Sequence, residues 1–157
     1  MVQNHLFQTL AILLMRRPMS MSSADIRIAK KELLESLTLT DPREDVVFGQ
    51  YIGYRDERDV ASDSRMETFT ALRVESALPQ YAGIPIYMRT GKCLDTKKTT
   101  IVIELKPSPY LDAVANRIVI EIQPRASIEI HFNTRSPHSE SGLVSTISST
   151  PDLLDSK

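Results

Sequence analysis

The sequence predicts an α+β fold, with two N-terminal helices packed on a mostly antiparallel β-sheet. Three features carry that prediction. Apolar residues recur at helical spacing as far as Leu37. Beyond Pro42 the apolar period shortens to two, with one apolar and one more polar face per segment, as in an antiparallel sheet covered on one side. Helices come first and strands after, so the regular alternation that builds a parallel sheet is missing.

The first helix is predicted over residues 2–16. Leu6, Leu10, Leu13 and Leu14 share a face, and Phe7, Ala11 and Ile12 widen it, so the helix is expected to be well buried. Pro18 marks its end. A second, amphipathic helix is predicted over 24–37, with Ile26, Leu33 and Leu37 on one face and Arg27, Lys30, Lys31 and Glu35 largely opposite. Ser22 followed by Asp25 is a start signal for it.

Residues 46–52 are rich in β-formers, residues 53–65 read as a polar loop, and 68–74 alternate again, Phe69, Ala71 and Arg73 against Thr70, Leu72 and Val74. Residues 84–89 form a third strand, where Pro85 suits a strand start or an edge. Strands follow at 99–105, 117–122 and 127–133, each with isoleucines on one face. Gln123-Pro124-Arg125-Ala126 is short enough for a hairpin-like link between the last two. Residues 1–135 are expected to form one domain. Residues 136–157, where Ser, Thr and Pro dominate without sustained periodicity, are expected to be a flexible tail.

Composition removes several classes of function. A net charge of -1 gives no global attraction to nucleic acid or to an acidic membrane. The apolar run Leu10–Met15 is too short to span a bilayer, and Arg16 and Arg17 follow it rather than precede it, unlike a signal peptide. The single cysteine, Cys93, suits a reducing compartment, hence a cytoplasmic setting, and is expected to be a small inert filler. His131 and His138 have no acidic or cysteine partner at metal-ligand spacing. Both read as structural or exposed, and no metal site is predicted.

The densest chemistry lies in Ile86-Tyr87-Met88-Arg89-Thr90-Gly91-Lys92-Cys93-Leu94-Asp95-Thr96-Lys97-Lys98. An apolar strand runs into a glycine, and three lysines follow within seven residues. A cationic turn at a strand end can hold an anion, although a solvated basic turn is the usual fate of such a run. This segment resembles the most recognisable C-terminal motif of the glucose-6-phosphate dehydrogenases. Val2-Gln3-Asn4-His5-Leu6 is similar to the family's helix motif with the catalytic histidine. Phe48-Gly49-Gln50-Tyr51, Ser64–Leu72 and Ile118–Pro124 resemble its strands, in order and at sensible spacing.

The resemblance implies part of an α+β C-terminal domain with a large, mostly antiparallel sheet that also serves a homodimer. It implies oxidation of glucose 6-phosphate to 6-phosphogluconolactone in the pentose phosphate pathway. NADP accepts the hydride and is bound mainly by a coenzyme domain outside this chain. The G-x-G-x-x-G fingerprint of dinucleotide sites is absent from the 157 residues, so turnover by this chain alone is expected to be negligible. The alternative is a non-catalytic dimerisation or binding module derived from the same family.

By that resemblance His5 is the general base, since an imidazole can accept the C1 hydroxyl proton as hydride leaves the same carbon. The family's acidic residue that orients this histidine, and an aspartate that contacts substrate, both lie upstream and have no counterpart here. Lys92 and Lys97 match substrate-contacting positions, and compact ammonium groups suit a phosphorylated sugar. Gln123 matches another, its amide able both to donate to and accept from hydroxyls. Arg89 and Lys98 match positions that bind a second, structural NADP in some members. Glu121 stands where a basic residue is expected for that site and would repel a phosphate, so a structural NADP is not predicted. Pro79-Gln80-Tyr81 replaces a segment usually rich in tryptophan.

Overall fold

The computed structural model describes residues 2–107, 115–135 and 143–149. The chain divides into two compact units, Met1–Leu94 and Asp95–Lys157. The first opens with a π-helical turn, Val2–Leu6, that runs into α1 (Phe7–Leu14). The second helix, α2 (Ser23–Glu35), begins where Ser22 Oγ accepts a hydrogen bond from the Asp25 N–H at 3.2 Å. The Asp25 carboxylate does not close the reciprocal bond, but accepts from Ser20 Oγ instead. Leu10 and Ala11 of α1 and Ala29 and Leu33 of α2 are buried, one turn apart within α2 as helical spacing requires. Lys30 Nζ to Gln8 Oε1 at 3.1 Å and an Arg16–Glu32 ion pair join the helices at their rims. Ile12 is 59% exposed, so α1 is less buried than its sequence suggests. It is apolar on more than one face, and α2 covers only one side of it.

Past α2 come β1 (Leu37–Thr38), a short helix α3 (Pro42–Asp45), β2 (Val46–Gly49), β3 (Phe69–Ser76) and β4 (Ile86–Gly91). Strand β3 is the centre of this sheet. Strand β2 pairs antiparallel with Phe69–Leu72, β4 with Phe69–Val74, and β1 with Glu75 and Ser76. Thr70, Val74 and Ser76 form its buried face, which is the even-numbered face that the alternation separates from Phe69, Ala71 and Arg73. Ser36 at the end of α2 is tied to Ser76 by a 2.8 Å hydroxyl pair, and Ser36 O accepts from Ala77 N–H.

Asp45 is only 4% exposed and does three jobs from one carboxylate. Its Oδ2 accepts from the Thr40 and Asp41 N–H groups, both at 2.8 Å, and its Oδ1 lies 2.6 Å from Arg73 Nε. The Asp41 N–H bond, and after it the Arg73 charge, hold the Asp45 carboxyl below its ordinary 3.8, against the opposing effect of burial. The Asp45 charge in turn raises Arg73. A depressed folded value gives stability that is complete above 3.8 and is lost as pH falls through the lower folded value. Asp45→Asn is therefore expected to melt at lower temperature than the parent at neutral pH. The difference should narrow as pH drops below 3.8 in thermal unfolding followed by circular dichroism.

The second unit contains β5 (Thr99–Glu104), β6 (Arg117–Gln123), β7 (Ser127–Arg135) and β8 (Leu143–Ser149) in the order β5-β6-β7-β8, each pair antiparallel. The register lines up isoleucines in rows across the strands: Ile101 opposite Ile120 and Ile120 opposite Ile128, and Ile103 opposite Ile118 and Ile118 opposite Ile130. Cross-strand contacts among β-branched side chains of this kind are what stabilise a sheet face. The other face sets Glu104 opposite Arg117 and Arg117 opposite His131.

The α+β class predicted from sequence is the class observed, but the strands make two four-stranded sheets rather than one. The break falls at Lys92–Lys98, whose charged and turn-forming residues carry no strand period. Within the stretch read as a tail, Leu143–Ser149 is a strand paired with Glu129–Arg135. Its Ser and Thr content hides the β-branched Val144, Thr146 and Ile147 that favour extension. The rest of that stretch, including His138, lies outside the described residues. The strand predicted over 46–52 stops at Gly49. Gln50 turns its amide to Ser64 O and Met66 O, and the Tyr51 N–H donates to Thr68 Oγ1, so the chain leaves the ladder. Among the described residues no helix is long and apolar enough to cross a membrane.

Candidate functional site

The turn that carries His5 packs against β4, the strand that delivers Lys92. Both belong to the first unit, so the imidazole-bearing turn and the lysine-bearing strand are neighbouring parts of one compact body. The His5 side chain is exposed. Among the described residues no hydrogen bond or ion pair orients it.

Lys92 is placed by its backbone. Gly91 pairs with Phe69 at the end of β4, and the Lys92 N–H donates to Thr68 O at 2.8 Å. A Cβ on residue 91 would stand 2.9 Å from Phe69 Cδ2 and 3.3 Å from Leu94 Cδ2, so a glycine is what lets the two strands close here. The Lys92 ammonium lies 5.9 Å from the centroid of the Tyr54 ring, within cation–π range. Tyr54 meets Tyr51 edge to face, with centroids 5.5 Å apart. The Tyr51 hydroxyl donates to Glu57 Oε1 at 3.0 Å. Desolvation, then the Glu57 carboxylate, push the Tyr51 phenol up to about 12. Sequence reasoning left Tyr54 inside a featureless polar loop. The usable signal was Tyr-Ile-Gly-Tyr: Gly53 takes φ +94, a left-handed turn that brings the second ring back beside the first.

Cys93, read from sequence as a small inert filler, is exposed at φ 52. Its thiol adjoins the Tyr51 phenol and adds to the upward push on it. Arg89 sits on β4 opposite Ala71 with its side chain exposed.

In the second unit, Lys97 and Lys98 are exposed and lead directly into β5. Gln123 ends β6 opposite Thr99, so the amide and both lysines gather at one end of that sheet. A register shift between Thr99 and Thr100 marks the same end. Glu121 Oε1 accepts from the Arg125 N–H at 3.4 Å. His131 Nε2 lies 3.0 Å from Glu129 Oε2, a partner that the sequence reading of a structural or exposed histidine did not name, because residues two apart on a strand share a face. The first unit also has an open concave surface of about 310 Å³ lined by Phe48, Gln50, Arg55, Arg65 and Glu67. Phe48, Gln50, Arg65 and Glu67 belong to the family-like segments, but none of His5, Arg89, Lys92, Lys97, Lys98 and Gln123 lines it.

Comparison with known proteins accounts for these shared motifs. The sequence model of the family "Glucose-6-phosphate dehydrogenase, C-terminal domain" matches residues 1–152. The glucose-6-phosphate 1-dehydrogenase of Chlamydia pneumoniae is 34% identical, over 87% of this chain and 31% of its own length. Glucose-6-phosphate 1-dehydrogenase 1 of Mycobacterium tuberculosis is 37% identical, over 88% of this chain and 31% of that protein. Among solved structures, glucose-6-phosphate 1-dehydrogenase from Mycobacterium avium superposes with a TM-score of 0.83 at 30% identity, covering 96% of this chain and 34% of that one. A glucose-6-phosphate dehydrogenase in complex with its substrate glucose-6-phosphate gives a TM-score of 0.79 at 31% identity, over 97% of this chain and 33% of that one. The chain thus spans about a third of the length of the relatives it matches.

Proposed function

The chain belongs to the glucose-6-phosphate dehydrogenase C-terminal domain family, and on that premise we propose that it carries the proton-accepting and sugar-phosphate-holding residues of a glucose-6-phosphate dehydrogenase. The observation that supports this reading best is the packing of the His5 turn on β4, the strand that ends at Gly91 just before Lys92. A base and a cation on adjacent elements of one unit suit a sugar with a reacting carbon at one end and a phosphate at the other.

In this reading Lys92 holds the phosphate of glucose 6-phosphate. In the second unit Lys97 and Gln123 are further candidates for substrate contact, one offering an ammonium and the other an amide that both donates and accepts. His5 takes the C1 hydroxyl proton. The electron pair left on that oxygen forms the lactone carbonyl as hydride departs from C1. NADP would supply the hydride acceptor; the residues of this chain do not fit its dinucleotide, since the glycine fingerprint is absent and Glu121 opposes a phosphate. A cytoplasmic setting and a homodimer built through the sheets belong to the same proposal.

Two measurements on the chain as it stands test this. Calorimetric titration should show saturable binding of glucose 6-phosphate and no detectable binding of glucose, which lacks the phosphate. NADPH absorbance should show negligible turnover. Indifference to glucose 6-phosphate would overturn the reading, and sustained NADPH formation would overturn the assignment of the coenzyme site to residues outside this chain.

A further inference from the structure

We propose that Tyr54 is a positioning residue for the Lys92 ammonium: its ring face fixes the cation that holds the substrate phosphate. This inference rests on the proposed function and adds to it a residue to which sequence reasoning gave no role. A lysine side chain has a long flexible stem, and freezing it costs conformational entropy each time it meets a ligand. An aromatic face beneath the ammonium lowers that cost by favouring one set of rotamers beforehand. The structure supplies such a face, 5.9 Å from Nζ to the ring centroid.

The ring is itself held in place. Gly53 at φ +94 turns the chain, and the helical turn Tyr54–Asp56 starts at that point. Tyr51 braces the ring edge to face at 5.5 Å. Tyr51 is anchored at both ends, its N–H on Thr68 Oγ1 at 2.9 Å and its hydroxyl on Glu57 at 3.0 Å. Thr68 closes the loop, since its carbonyl accepts from the Lys92 N–H. Backbone and side chain of Lys92 are therefore referred to the same small scaffold of Thr68, Tyr51 and Tyr54. Beside Tyr51 in this scaffold lie the Glu57 carboxylate, on its hydroxyl, and the Cys93 thiol. Cation–π attraction needs a ring but no hydroxyl, which makes the prediction specific.

The test is binding of glucose 6-phosphate to the full chain by titration calorimetry, in the parent and in Tyr54→Phe, Tyr54→Leu, Lys92→Ala and the Lys92→Ala/Tyr54→Leu double variant. Tyr54→Phe should bind like the parent. Tyr54→Leu should bind about 2- to 5-fold more weakly, the size of an exposed cation–π contact. In the Lys92→Ala background Tyr54→Leu should have no further effect, a non-additivity that a merely structural role would not produce. Unchanged affinity in Tyr54→Leu, or an equal loss with and without Lys92, would overturn the inference while leaving the proposed function intact. No binding by the parent chain would overturn both. If Tyr54→Leu does not fold, the NMR shift of the Lys92 Cε protons in the parent decides. An upfield ring-current shift supports the inference, and a random-coil position overturns it.

Discussion

Lys92→Ala is expected to weaken glucose 6-phosphate binding by about 10- to 150-fold, the range of one hydrogen bond to a charged group. The strand that carries Lys92 ends in Gly91, and the Lys92 N–H is pinned on Thr68 O. The substitution therefore removes the ammonium and leaves the backbone that presents it. Lys92→Arg keeps the charge but replaces a compact point by a planar fork over Tyr54, and should recover part of the loss. Calorimetric titration of both variants beside the parent checks this. A loss of less than twofold in Lys92→Ala would show that the cation is a solvated surface lysine.

The second large effect is on stability. Leu33 is 1% exposed and is the largest fully buried side chain of the described residues, in the α2 face that includes Ala29. Leu33→Ala should lower the unfolding free energy by about 2–5 kcal/mol in urea titration, the cost of lost burial plus the cavity left behind. Ile52, fully exposed in the turn after β2, is the control. Ile52→Ala should stay within about 0.5 kcal/mol of the parent. Equal effects at the two positions would mean that α2 does not pack as described.

Most of the first unit's strand structure was readable because one face of β3 is buried and the other is not, which writes a period of two into Thr70, Leu72 and Val74. The isoleucines of β5, β6 and β7 were readable for the same reason. What escaped was short or chemically disguised. Strand β1 has two residues, too few to show any period. Helix α3 has four, although Asp41 as cap and Pro42 in the first turn are a recognisable start signal, and the Asp41 carboxylate does accept from Arg43 N–H at 2.9 Å. Strand β8 is written largely in serine and threonine. The single sheet inferred from a run of strands became two because the lysine turn interrupts the ladder, and a list of strands does not say which pair.

The candidate site divides in a similar way. His5, Lys92, Lys97 and Gln123 were identifiable because a family motif surrounds each of them. Tyr54 was not, because its relation to Lys92 comes from a left-handed glycine turn and from pairing between residues far apart in sequence. Asp45 was missed too: a lone aspartate in a polar stretch looks like solvent-facing charge. Its burial depends on Arg73 from a strand 28 positions later.

The most direct test is an NMR titration of the isotope-labelled chain with glucose 6-phosphate, following the ring of His5 and the side-chain end of Lys92, both in the first unit. The two signals should move together and saturate with one dissociation constant, because one ligand touches both residues. Saturation at Lys92 with a stationary His5, or no saturation at either, would contradict a shared sugar-phosphate site.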